Sequence, residues 1–229
     1  MQYDRMLEAV FLSRPNRFVA LVRLDGQEVI CHVKNTGRCK ELLVPGATVY
    51  IQKAASPERK TAYDLIAVRK GTRLINMDAA APNQVVGEWA RAGHLLPEPT
   101  LVKAEARRGA SRLDFYIENA TRKAWVEVKG VTLEEDGHVR FPDAPTERGV
   151  KHLSELEACV RDGYEAYAIF VIQMEGVKDF SPNWATHPAF GEALVKAAAH
   201  GVQIIALDCH VEVDAMSIRQ AVPVVLERV

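Results

Sequence analysis

Residues 166–174, AYAIFVIQM, run for nine positions without a charged side chain. A strand that is apolar on both faces has to be covered on both, which calls for a sheet between helical layers. VQIIALD at 202–208 repeats the pattern. The neighbouring stretches supply the helices. One starts near Thr146, with Glu147 in its first turn and Gly163 beyond its end, and PAFGEALVKAAAHG closes at Gly201. Upstream, residues 101–107, 111–118 and 123–133 read as strands joined by Gly109 and by the polar loop NATR. Asn83 is placed to cap a helix from about Gln84 to Gly93. Residues 81–229 thus read as an α/β domain with a mixed sheet, ordered α-β-β-β-α-β-α-β.

Residues 1–80 have a different rhythm. MLEAVFLS (6–13), RFVALVRL (17–24), EVICHVK (28–34), ATVYIQKA (47–54) and AYDLIAVRK (62–70) are short runs rich in β-formers. Between them lie Arg14-Pro15-Asn16, Asp25-Gly26, Asn35-Thr36-Gly37, Pro45-Gly46 and Ser56-Pro57. Asp25-Gly26 between two apolar runs is a strong hairpin signal. Five such strands predict a small closed barrel of the OB type, with RCKELL (38–43) as a single helical turn between the third and fourth. The fold class expected for the whole chain is α+β.

Charge divides along the same line. Residues 1–80 carry 13 Lys+Arg against 8 Asp+Glu, or +5; the remainder carries 16 against 22, or −6. A basic first part suits a polyanion and an acidic second part suits a cation site, although a chance imbalance gives the same numbers. The net charge of −1 is not that of an avid nucleic-acid binder. The four cysteines, at positions 31, 39, 159 and 209, have no C-x-x-C spacing and read as buried, reduced thiols. No apolar run reaches membrane-spanning length, and the acids in MQYDRMLEAV do not suit a signal peptide. The cytosol is the expected compartment.

Chemistry concentrates in RLDFYIE and AWVEVKG. Strand alternation puts Leu113, Phe115 and Ile117 on one face, with Arg112, Asp114, Tyr116 and Glu118 on the other. In the second strand Trp125, Glu127 and Lys129 share a face. An antiparallel register in which opposite residue numbers add to 241 leaves NATR as a four-residue loop and sets Asp114 beside Glu127. Two adjacent carboxylates need a proton or a cation between them, and Mg²⁺ takes one or two carboxylates plus water and phosphate. The plainer reading also stands. Exposed strands place Glu beside Lys for solubility, and Glu58-Arg59-Lys60 repeats the spacing in a polar turn.

Further motifs accompany this pair. NTGRCKELL…PG, SRLDF, VEVKGVTL and FPDAPTERGVKHL together resemble the sugar fermentation stimulation protein A family nearly end to end. The resemblance implies an N-terminal OB-like domain over residues 1–80 and a PD-(D/E)xK nuclease-like domain over 81–229. It implies Mg²⁺ or Mn²⁺ held by Asp114, Glu127 and the Val128 carbonyl, with Asp114, Glu127 and Lys129 catalytic. Leu113 stands where that motif often has proline. The implied partner is DNA or RNA, either cleaved or, alternatively, only bound by a regulator of sugar-utilisation genes. Arg148, Lys151 and His152 are the expected phosphate or supporting contacts, with Gly149 leaving room at the helix start. Arg38 and Lys40 are their counterparts in the barrel, where Phe18, Tyr50 and Tyr63 are possible stacking groups. Glu88, Glu105 and Asp143 are weaker candidates for a further acid at the metal.

Overall fold

A computed structural model describes residues 1–35, 37–54, 58–59, 61–109 and 111–228. Thr36, the Ser56-Pro57 turn and Lys60 of the second Glu-x-Lys lie outside them.

The first unit contains β1 (Met6–Asn16), β2 (Val19–Leu24), β3 (Gln27–Val33), β4 (Thr48–Lys53), β5 (Tyr63–Lys70) and β6 (Arg73–Asn76). β1 pairs with β2 and β4, β2 with β3, and β4 with β5; a parallel β3–β5 pairing then closes five strands into a barrel. Asp25 and Gly26 both adopt positive φ, 49° and 82°, as a two-residue hairpin with the right strand twist requires. The expected turn at residues 14–16 moves. β1 runs through Pro15 on a bulge, and the chain reverses at Arg17-Phe18. The Arg14 guanidinium holds that corner by donating to the carbonyls of Arg17, Asn35, Gly37 and Arg38. RCKELL makes its single turn, with Leu43 N–H donating to the Cys39 carbonyl.

The second unit contains α1 (Ala81–Arg91), β7 (Leu101–Arg108), β8 (Ser111–Glu118), β9 (Lys123–Val131), β10 (Glu134–Glu135), β11 (His138–Phe141), α2 (Glu147–Arg161), β12 (Glu165–Ile172), β13 (Asp179–Pro182), α3 (Pro188–Ala199), β14 (Gln203–Val211) and β15 (Met216–Val222). Its main sheet runs β15-β14-β12-β9-β8-β7, with β9, β12 and β14 parallel and the outer strands antiparallel. The apolar run in β12 is covered as expected. Tyr167, Ile169 and Val171 pack with Val85 and Val86 of α1. Ala168, Phe170 and Ile172 pack with Leu153 of α2 and Leu194 of α3. β10, β11 and β13 form a small separate sheet.

Helix α1 starts three residues before the expected position. Pro82 occupies its first turn, so Asn83 lies inside the helix and caps nothing. α2 starts where expected, with Glu147 in its first turn, and the Thr146 side chain caps it by accepting from Gly149 N–H. Gly149 does not leave an open approach, however. A Cβ there would lie 2.9 Å from Thr146 Cγ2 and 3.1 Å from Phe190, so the glycine serves α2–α3 packing.

A buried carboxylate ties the two units. Glu134 accepts from Lys70 Nζ at 2.7 Å, from Arg73 at 2.6 Å and from Gly137 N–H at 2.6 Å. Burial alone would raise its pKa; Lys70, the Gly137 amide and Arg73 outweigh it and hold the carboxyl below its ordinary value. We expect Glu134→Ala to cost about 2 kcal/mol in urea unfolding, the scale of a charged hydrogen bond and less than a fully buried pair because both cations can rehydrate. A depressed carboxyl contributes stability that is present above its unfolded pKa. The wild-type advantage therefore shrinks as pH falls below about 4.5.

Candidate metal and catalytic site

The β8–β9 ladder follows the predicted register over Phe115–Val126, Tyr116–Trp125, Ile117–Ala124 and Glu118–Lys123. It stops one pair short of Asp114 and Glu127. Beyond Phe115, β8 makes no further ladder pair with β9. Opposite this point in β7, Glu105 adopts φ 49°, and the Glu105–Asp114 pair is absent from a β7–β8 ladder that keeps one register on either side. The expected single apolar face consequently breaks: Phe115 and Ile117 pack toward α1, while Leu113 joins the α2-side core.

This break aims Asp114. Its Oδ2 accepts the Val128 N–H at 2.7 Å, and its Oδ1 accepts Asn83 Nδ2 at 3.0 Å. Asn83 is the group that sequence reasoning misassigned. Its signal was the preceding proline, which belongs in a first helical turn and pushes Asn83 past the cap. Burial raises the Asp114 pKa and the neighbouring Glu127 charge raises it further, against the Val128 amide and Lys129. The two carboxyls therefore feel one another without being a ladder pair.

Glu127 is 4% exposed in the central strand. Its Oε1 is contacted by both Lys129 Nζ and His152 Nδ1. Its Oε2 is buried with no hydrogen-bond partner. Burial alone would raise this carboxyl, but the His152 bond and the Lys129 charge hold it below the ordinary glutamate value. His152 Nε2 in turn accepts from Arg148 Nε at 3.3 Å, which places the ring proton on Nδ1. His152 is thus buried and supports Glu127, leaving phosphate contact to more exposed groups. Arg148 and Lys151 are exposed, the latter 3.6 Å from Glu155.

The weaker acids do not join the pair. Glu88 takes the N-terminal ammonium at 2.7 Å, Glu105 pairs with Arg112 at 3.3 Å, and Asp143 accepts the Arg38 N–H at 2.8 Å. Among the described residues no three His, Cys, Asp or Glu side chains gather as a metal ligand set. Two carboxylates completed by a main-chain carbonyl and water are nevertheless the donor set Mg²⁺ takes, and the bare Glu127 oxygen is where such an ion fits. Arg38 and Lys40 are exposed on the barrel beside a cleft of about 490 Å³, whose lining includes Arg14 and Arg17. Tyr50 is buried and Tyr63 half-buried, so neither offers a free ring face. All four cysteines are free and buried, and burial pushes the Cys39 thiol up to about 12. Among the described residues no helix is long and apolar enough to cross a membrane.

A closed OB barrel joined to a mixed α/β sheet, with an acid pair and a lysine on its central strands, defines a two-domain class. Within it, the chain belongs to the sugar fermentation stimulation protein family. The family described as "Sugar fermentation stimulation protein RE domain" matches residues 80–215, and "SfsA N-terminal OB domain" matches residues 12–77. A sugar fermentation stimulation protein homolog of Clostridium beijerinckii is 56% identical over 99% of this chain and 100% of its own length. A homolog from Desulfitobacterium hafniense strain Y51 is 58% identical over 94% of each. The structure of Pyrococcus furiosus SfsA in complex with Ca²⁺ superposes with a TM-score of 0.87 at 32% identity, covering 98% of this chain and 97% of that one.

Proposed function

We propose that the chain is a metal-dependent nuclease that hydrolyses phosphodiester bonds in DNA or RNA. The observation that carries this is Glu127: a buried carboxylate with one oxygen tied to Lys129 and His152 and the other bare, next to Asp114. The Pyrococcus furiosus relative was obtained with Ca²⁺, a hard, oxygen-seeking cation of the kind this donor set suits. Asp114, Glu127 and the Val128 carbonyl would hold Mg²⁺ or Mn²⁺, which when bound supplies charge neutralisation at the phosphate and acidifies a water.

The remaining work belongs to the protein. Asn83 and the Val128 amide orient Asp114, and His152 orients Glu127. Lys129 Nζ has three donors and spends one on Glu127, leaving others to position the attacking water or to stabilise charge on the phosphoryl oxygens. Arg148, exposed beside His152, is placed to meet a neighbouring phosphate.

The test is cleavage of labelled DNA and RNA with Mg²⁺ or Mn²⁺, compared with the same reaction in chelator. Cleavage confined to the metal reactions is expected. Salt-dependent binding that persists in chelator, with no cleavage under any metal, would replace this reading with that of a non-catalytic nucleic-acid-binding regulator.

A further inference from the structure

Resting on the nuclease reading above, we propose that Asp78 is a positioning residue for the acid pair. Held from the barrel side by Lys34, it fixes the start of α1 so that Asn83 can orient Asp114. The barrel thereby sets the geometry of the site in the second unit.

Helix α1 lacks a cap of its own. Its N-cap residue is Ala80, whose side chain accepts nothing, and no acid stands in its first turn. Asp78 fills both roles from two residues upstream. Its Oδ1 accepts the Ala80 N–H at 2.9 Å and its carbonyl accepts the Ala81 N–H at 3.1 Å. A negative charge is also favoured at this end of a helix. Pro82 comes next and has no N–H to satisfy. Asn83 follows it, and its Nδ2 donates to Asp114 Oδ1 at 3.0 Å. Where the helix starts therefore decides where Asn83 meets Asp114.

Asp78 is itself 2% exposed and held by a connected network. Lys34, the residue after β3, supplies its only ion pair among the described residues, at Oδ2. Tyr3 donates its hydroxyl to the same oxygen at 3.4 Å and accepts Asn76 Nδ2 at 2.9 Å. Asn76 Oδ1 accepts the Asp78 N–H at 2.9 Å and Gln173 Nε2 at 3.0 Å. Gln173 Nε2 also donates to the Asp78 carbonyl at 3.0 Å. Gln173, just past β12, seats the network on β9. Its N–H donates to the Val131 carbonyl at 3.0 Å. A Cβ on Gly130 would lie 2.6 Å from Gln173 Oε1 and 2.8 Å from Pro82. The first turn of α1 and the network thus rest directly on the strand beside Lys129, where only a glycine leaves room. Without Lys34 the buried carboxylate has no counter-charge, and its grip on the helix start loosens.

The experiment is amide hydrogen exchange, read by NMR on the full chain without metal. The reporter is the Val128 N–H, which Asp114 Oδ2 accepts; Ile169, its opposite residue in β12, controls for global opening. Asn83→Ala and Lys34→Met should each speed Val128 exchange about tenfold relative to Ile169, the scale of one charged hydrogen bond. The double variant should be no faster than Asn83→Ala alone, because Lys34 acts through Asn83. Should Lys34→Met fail to fold, Tyr3→Phe, which removes a neutral bond to the same carboxylate, takes its place. An unchanged Val128 rate in the folded variant, or effects that add in the double variant, overturns the proposal. In cleavage assays the same single variants should lower kcat about tenfold and leave KM unchanged. The exchange measurement involves neither metal nor nucleic acid. Coupled exchange in a protein that cleaves nothing refutes the nuclease and leaves the positioning role; metal-dependent cleavage with uncoupled exchange does the reverse.

Discussion

On the proposed nuclease reading, Lys129→Ala is expected to lower phosphodiester cleavage by at least about a hundredfold, the scale on which removing one preorganised donor to a developing oxyanion acts. The loss should fall on turnover and leave substrate affinity near wild type, because the groups proposed to contact nucleic acid, Arg148, Arg38 and Lys40, are untouched. Folding survives. The Lys129 side chain is only 20% exposed, yet Glu127 keeps its contact with His152 when the lysine is gone. Steady-state rates on a fluorogenic oligonucleotide, beside a urea melt of the same preparation, measure both halves of the expectation. An equal fall in stability and rate would indicate that Lys129 only balances the buried Glu127 charge.

Phe170→Ala is the change with the largest expected effect on the fold, about 3–5 kcal/mol. Phe170 is 1% exposed and lies opposite Lys129 in the β9–β12 ladder. Its ring stacks on Phe180 at 4.2 Å and meets Phe141 at 5.7 Å and Phe190 at 6.4 Å. Those three rings come from β13, β11 and α3, so one side chain joins the main sheet to the small sheet and to the helical layer. Against a typical total of about 5–15 kcal/mol, the loss is large enough to lower the denaturation midpoint sharply. Phe170→Leu, which keeps most of the volume, should cost much less.

The parts of the fold that were legible in the sequence are those with strong local chemistry. Asp25-Gly26, the helix start at Thr146-Glu147, and the uninterrupted apolar run of β12 each allow few conformations, and each appears as read. The β8–β9 register was legible because a four-residue loop and strand alternation leave few pairings. The structure of that loop bears it out, with the Asn119 side chain accepting the Thr121 and Arg122 amides. The aim of Asp114 was not legible. It depends on an interruption of the β7–β8 ladder at Glu105 and Asp114 and on a helix that begins three residues early. The small sheet was also missed, although Asp136-Gly137 carries the same hairpin signal as Asp25-Gly26 and adopts the same positive φ pattern, 53° and 86°. Its flanking strands, of two and four residues, are too short to show a period. The role of His152 was half legible. Its helical position was correct, but only packing shows that it turns inward to Glu127.

The cation cradle is the central claim, and its most direct measurement is anomalous diffraction from crystals soaked in Mn²⁺. One peak in contact with both the Asp114 and Glu127 carboxyls, absent from crystals of Glu127→Ala, is the predicted result. Mn²⁺ bound elsewhere on the protein with nothing between Asp114 and Glu127, in crystals that hold both carboxyls ionised, would contradict it.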